Sequence, residues 1–201
     1  MQLIYSPASP FVRKVRVLLI ETDQQNDVEL VPVATSALKP APEAIAANPL
    51  GKIPSLLCPD GTTLYDSRVI CRYLAVRAEA DLYPQNTLWE SLTLEATADG
   101  ILEAALLIVY EKRLRPTKLV FEDWLEAQWS KISCALNVLE DRWLTCLSGP
   151  NDIGQIAIAC ALGYLDFRHN ERNWREERDG LACWYAAYSK RESMVLTTPS
   201  D

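Results

Sequence analysis

The first eighty residues show short apolar runs around one clear helical stripe. QLIYS (2–6) reads as a short strand. Residues 10–22 then place Val12, Val15, Leu18 and Leu19 on one face at helical spacing. VELVPV (28–33) is a second strand, and Pro32, which has no amide to give a ladder, marks an edge or a strand end. A Pro- and Ala-rich connection at 36–49 has room for one helical turn. IPSLL (53–57) is a third strand, PDG (59–61) a hairpin-type turn, and TTLYD (62–66) a fourth strand, after which Asp66 opens a helix running to Arg77.

No strand pattern follows. The stretch EADLYPQN ends the first domain, set at 1–80, with 81–86 as linker and 87–201 as a second domain. Residues 87–113 and 118–146 are long helical patterns separated at Arg115-Pro116, where the proline stops a helix. DIGQIAIACALGYLDF (152–167) is apolar on nearly every side, as in a helix buried within a bundle. Asp152 and Gln155 form a capping box, with the carboxylate accepting the N3 amide and the glutamine reaching back to the cap amide. A last helix spans 178–189, and 193–201 reads as an irregular tail. The order β-α-β-α-β-β-α has too few strands for a nucleotide-binding doubly wound sheet. It predicts an α/β thioredoxin-like N-terminal domain followed by an all-α helical bundle.

Composition narrows the function. The net charge is −7, and residues 1–80 are balanced, so 81–201 carry all of it. A net acidic chain with no basic stripe excludes nucleic acid as a partner. The six cysteines contain no C-x-x-C pair and there is one histidine, His169, so neither a disulfide framework nor a metal site is expected. Cys160 and Cys183 read as small apolar core groups, the tryptophans as core, and His169 as a surface residue. Arg13, Lys14 and Arg16 interrupt the N-terminal apolar run, so it is no signal peptide, and no run reaches transmembrane length. A cytoplasmic protein with no membrane partner is expected.

Ser9-Pro10 has a complete structural account: serine is a favoured N-cap, proline a favoured first helical residue, and the apolar period starts directly afterwards. Four segments in order add more. SPASPFVRKVRVLL resembles the first strand–helix junction of serine-type cytosolic glutathione transferases of bacterial type. NPLGKIPSLL is similar to the segment leading into their cis-proline, LYDSRVICRYL to their acidic-Ser-x-x-Ile segment, and DIGQIAIACALGYLDF to the buried helix that carries their capping box.

The resemblance implies a role for Ser9. SPFV stands where redox members of the thioredoxin-like fold carry Cys-Pro-x-Cys, so Ser9 replaces the nucleophilic sulfur and dithiol exchange is excluded. The thiol is then borrowed, from glutathione as co-substrate. A free thiol with pKa about 8.5 is ~3% thiolate at pH 7, and lowering it by roughly two units takes ~2.7 kcal/mol. A hydrogen bond to a charged acceptor offers ~1.5–3 kcal/mol, and a helix N-terminus adds ~0.3–2. Together they suffice without a histidine. Ser6 and Tyr5 are the alternatives to Ser9, and Arg13 adds positive potential nearby.

The same resemblance implies a cis Ile53-Pro54 bond, with the backbone of Ile53 pairing glutathione's cysteinyl peptide and its side chain in the core. It implies that Asp66 and Ser67 take the γ-glutamyl end, the serine holding its carboxylate at a helix start. Lys52 meets the other carboxylate, and Asp99 reaches a partner subunit's γ-glutamyl amine. An apolar electrophile would lie between the domains against Leu106, Val109 and Tyr110. The implied activity is thiolate attack on that electrophile by a homodimer, with isomerisation or dehalogenation as variants. The rival is a glutathione-binding, non-catalytic or regulatory protein on the same fold.

Overall fold

Four strands, β1 (Gln2–Tyr5), β2 (Glu29–Pro32), β3 (Ser55–Leu57) and β4 (Thr63–Leu64), form one sheet in the order β2-β1-β3-β4 in the computed structural model, which describes Met1–Asp201. β1 runs parallel to β2 and antiparallel to β3, and β3 is antiparallel to β4. Pro32 ends the edge strand, where its missing amide costs no ladder bond. Leu3 and Ile4 are successive residues and both are buried, so β1 is covered on both faces.

α1 (Pro10–Glu21) buries the predicted stripe of Val12, Val15, Leu18 and Leu19 and packs on α3 (Ser67–Arg77). α2 (Pro42–Ala47) packs against β1 and β3. These elements form a first unit, Met1–Gln85, to which the last residues, Glu192–Asp201, also belong. The sequence reading carried the second domain to Asp201 with an irregular tail. Instead Glu192–Leu196 is a short helix, termed α9 below, that packs on α1.

The second unit, Asn86–Arg191, is helical throughout: α4 (Leu88–Leu114), α5 (Glu122–Val138), α6 (Leu144–Leu147), α7 (Ile153–Arg168) and α8 (Asp179–Tyr188). Every residue from Ile153 to Leu165 is buried, and the main packing of α7 is on α4. Gly154 permits that approach, since a Cβ there would lie 2.8 Å from Leu94 Cβ and 3.1 Å from Ser91 O. Asp152 caps α7 by accepting from Gln155 N at 3.0 Å, and its second oxygen accepts from Ser91 Oγ at 2.5 Å. Gln155 does not complete the box. Its side-chain amide donates to the carbonyls of Pro150 and Gly149 at 2.7 and 3.2 Å, tying down the preceding turn.

Other readings of this unit need correction. The continuous helix expected over 118–146 starts later, at Glu122, and widens into a π-helical turn at Leu139–Trp143 before α6. Within that turn Glu140 accepts from Gly180 N (3.0 Å) and Leu181 N (2.6 Å), capping α8 with a side chain forty residues away. His169, the C-cap of α7, is 2% exposed, its ring against Trp129 and Tyr164 and its Nε2 3.0 Å from Ala105 O. Cys160 is buried as expected, but Cys183 is exposed: the buried stripe of α8 is Leu181, Tyr185 and Tyr188. Of the tryptophans only Trp174 is fully buried, and Trp89 and Trp124 are exposed. No helix is long and apolar enough to cross a membrane.

Candidate functional site

Sheet register brings the sequence-predicted residues to one end of the first unit. Ile4 pairs with Ser55 and Leu56 with Leu64, so the start of β3 lies between the ends of β1 and β4. The Ser6–Ser9 turn leaves β1 there, the Ile53-Pro54 bond enters β3 there, and Asp66-Ser67 leaves β4 there. Helices α1 and α3 both begin at this end, so two helix N-termini and their partial positive charge lie beside the same strand ends.

Ser9 is the N-cap of α1, with extended backbone and its Oγ accepting from Val12 N at 3.4 Å. That distance is at the long limit for such a bond, so the cap holds the hydroxyl loosely. Ser9 N–H donates to Ser6 O (3.1 Å) and its carbonyl accepts from Arg13 N (3.0 Å), which fixes the backbone of the turn. Capping uses only an acceptor position. The hydroxyl proton of half-buried Ser9 has no acceptor within the chain. The first turn of α1 holds no acidic residue to offset its N-terminus. Ser6 contributes its carbonyl to the turn, and Tyr5 has the Arg16 guanidinium 5.7 Å from its ring centre.

The Ile53-Pro54 bond is cis, as the resemblance implied, and the Tyr65-Asp66 bond is cis as well, which nothing local in the sequence marks. Neither N–H nor C=O of Ile53 has a hydrogen-bond partner in the chain. Its side chain is half-buried rather than core, because Pro54, not Ile53, turns inward at the strand entry. Lys52 is exposed, and its carbonyl accepts from Asn48 Nδ2 (3.1 Å) and Ser55 Oγ (3.3 Å), so a fixed backbone carries a solvent-facing ammonium.

Asp66 caps α3, accepting from Arg68 N at 3.0 Å and Arg68 Nη2 at 3.2 Å. Burial pushes its carboxyl up, but the hydrogen bonds from Arg68 and the charges of Arg68 and Lys14 outweigh that and leave it below the usual carboxylate range. Ser67, the first residue of α3, is buried, and its hydroxyl bonds no group of the chain. Asp99 belongs to the second unit. It lies on α4 at 5% exposure, which leaves little carboxylate surface for a second subunit. Leu106, Val109 and Tyr110 of α4 are half-buried, beside fully buried Ala105 and Ile108. No group of three or more His, Cys, Asp or Glu side chains is placed to hold a metal ion.

Arg13 makes a contact that the sequence does not indicate. Its guanidinium is buried and tied to the chain's end, Nη2 donating to Met194 O (3.0 Å) and Nε to Thr197 Oγ1 (3.4 Å). No periodicity or motif signals a pairing across more than 180 residues.

Known proteins share this fold. The glutathione S-transferase N-terminal domain family matches residues 8–77, and the C-terminal domain family residues 122–187. A glutathione transferase family member from Pseudomonas fluorescens Pf-5, solved with bound glutathione, is 46% identical, with TM-score 0.97 over 100% of this chain and 99% of that one. A structure of that family member with bound S-(propanoic acid)-glutathione gives TM-score 0.93 at 45% identity over the full length of both chains. The uncharacterized GST-like protein YibF of Escherichia coli (strain K12) is 36% identical over 99% of this chain and 98% of its own length. With both domain families matched in order and full-length relatives at this identity, the chain belongs to the glutathione S-transferase family.

Proposed function

We propose that this protein is a glutathione transferase in which the Ser9 hydroxyl donates a hydrogen bond to the sulfur of glutathione, holding it as the thiolate that attacks a small apolar electrophile. The observation that carries this reading is the unused Ser9 donor at an α1 N-terminus with no acidic residue in its first turn. A sulfur seated there meets a hydroxyl donor and the helix dipole together, the two contributions whose sum matches the ~2.7 kcal/mol needed for a two-unit shift. The unpartnered N–H and C=O of cis-bonded Ile53 fit an extended peptide such as the cysteinyl unit. Ser67 and the α3 N-terminus fit the γ-glutamyl carboxylate, Asp66 its ammonium, and Lys52 the glycyl carboxylate. Bound glutathione and a glutathione thioether in the Pseudomonas relative support a site that accepts both the thiol and an S-substituted product.

The test is ultraviolet titration of the thiolate of bound glutathione in wild type and Ser9→Ala. The expected result is an apparent pKa near ~6.5 that returns towards about 8.5 in the variant with most affinity kept. Tight binding with an unshifted wild-type thiol would instead identify a binding protein without thiol activation. An unchanged Ser9→Ala titration would move the role to Ser6 or Tyr5.

We further propose a cytoplasmic homodimer. Val69, Tyr73 and Val76 line one exposed face of α3, opposite the buried Ile70 and Leu74, and such a stripe suits burial against a second copy.

A further inference from the structure

Arg13 is 6% exposed and has no counter-ion. Its two bonded nitrogens meet neutral acceptors, Met194 O and Thr197 Oγ1, and its Nη1 is buried with no partner. No carboxylate of the chain pairs with it. Buried guanidinium groups are ordinarily paired, so an uncompensated one calls for an anion from elsewhere.

The segment that holds Arg13 runs antiparallel to α1. Ser193 Oγ bonds Glu21 at the C-terminal end of the helix, Arg16 Nη2 donates to Leu196 O (3.4 Å), and Arg13 meets Met194 and Thr197 towards the N-terminal end. Arg13 is also joined to Ser9 directly, its N–H donating to Ser9 O in the opening hydrogen bond of α1. Helical side chains lean towards the N-terminus, so the Arg13 stem tilts back over the turn that Ser9 starts. The two residues lie one turn apart on α1, about 6 Å of backbone rise. Burial leaves the Arg13 charge weakly screened.

We propose that Arg13 is a positioning residue of the thiol site: its uncompensated charge favours an anion at Ser9, and the strap of residues 193–197 sets that charge in place. The proposal rests on the reading of Ser9 as the group that meets the glutathione sulfur. Arg16 and Lys14 are the other cations at this part of α1, and the carboxylates of Asp66, which engages Arg68, and of Glu21, which bonds Ser193, are committed elsewhere. None of these carboxylates bonds Arg13, and the incoming thiolate is the anion that its field meets.

The experiment is the thiolate titration of bound glutathione in the full chain, comparing wild type with Arg13→Gln, Arg13→Lys and Thr197→Val, with circular dichroism as the fold control. Arg13→Gln should raise the apparent thiol pKa by about one unit, a tenfold loss of thiolate below the pKa. Arg13→Lys, which keeps the charge, should stay close to wild type. Thr197→Val keeps the charge and frees one tether, and should lose roughly threefold. A role in folding alone would shift the Gln and Lys variants equally, and equal shifts overturn the proposal. So does an Arg13→Gln titration that matches wild type. Should Arg13→Gln not fold, Thr197→Val decides, and an unmoved titration there overturns the proposal. A wild type whose bound glutathione titrates like the free thiol sinks the Ser9 reading, and this one with it, before any Arg13 variant is compared.

Discussion

Single residues separate what a sequence can and cannot state about chemistry. Ser9, Asp66 and Asp152 are all helix caps, and their cap bonds follow from side chains that reach amides two or three residues on. Ser9 keeps its proton after capping α1, whereas Asp152 spends its oxygens joining the start of α7 to Ser91 of α4. His169 shows the opposite limit. Its burial depends on Ala105, 64 residues earlier, and on Trp129, so no local pattern reveals it. Burial holds the His169 pKa below its ordinary value, against the raising effects of its hydrogen bond to Ala105 and of Glu171. A histidine with a lowered folded pKa binds its proton more readily when unfolded. Its contribution to stability is therefore complete above the unfolded value of about 6.5 and is lost as pH falls through the lower folded one. Urea midpoints at pH 7.5 and 5.0 should show this loss in wild type. His169→Gln should cost about 1–3 kcal/mol at pH 7.5 and flatten the pH dependence; an equally steep variant would assign the acid sensitivity to other groups.

Among the elements, those with a local period and a local cap were legible. The stripe of α1, the all-round apolar run of α7 and the edge position of β2 each follow from spacing within about a dozen residues. The π-helical turn and α9 were not, because their causes are distant: Glu140 serves the α8 amides, and α9 is held by Arg13, Arg16 and Glu21 of the first helix. The α7 start offers a quantitative check. Asp152→Ala removes the acceptor of both Gln155 N and Ser91 Oγ at a half-buried helix end, so a loss of about 2–3 kcal/mol is expected. Asp152→Asn, whose amide oxygen still caps, should lose less. Gly154→Ala should also destabilise, by about 1–3 kcal/mol, because its methyl meets the Leu94 side chain and Ser91 carbonyl. Chemical denaturation of the variants checks these values, and a neutral Asp152→Ala would show that α7 is held by packing alone.

At the scale of the whole molecule, the site and the proposed subunit contact occupy different parts of the same helix. The N-terminus of α3 carries Asp66 and Ser67, while Val69, Tyr73 and Val76 follow along its exposed face, with Val76 67% exposed near the far end. Val76 is ten positions beyond Asp66, roughly 15 Å along the helix, so a charge placed there leaves the cap bonds of Asp66 untouched. Were that face buried between two copies, a glutamate at 76 would bring two carboxylates into an apolar contact. Each would need desolvation without a counter-ion, and twofold symmetry would repeat the cost. Val76→Glu is accordingly expected to weaken the dimer by at least about a hundredfold, close to 2.7 kcal/mol, and to sediment as a 22.6 kDa monomer at micromolar concentration. Because the cap geometry at Asp66 belongs to a single chain, the monomer should still bind glutathione, and calorimetry on the same sample reads that directly. An unchanged sedimentation coefficient would place the subunit contact off this face of α3. Loss of glutathione binding in a folded monomer would mean that the second copy completes the γ-glutamyl subsite, a role that the burial of Asp99 argues against.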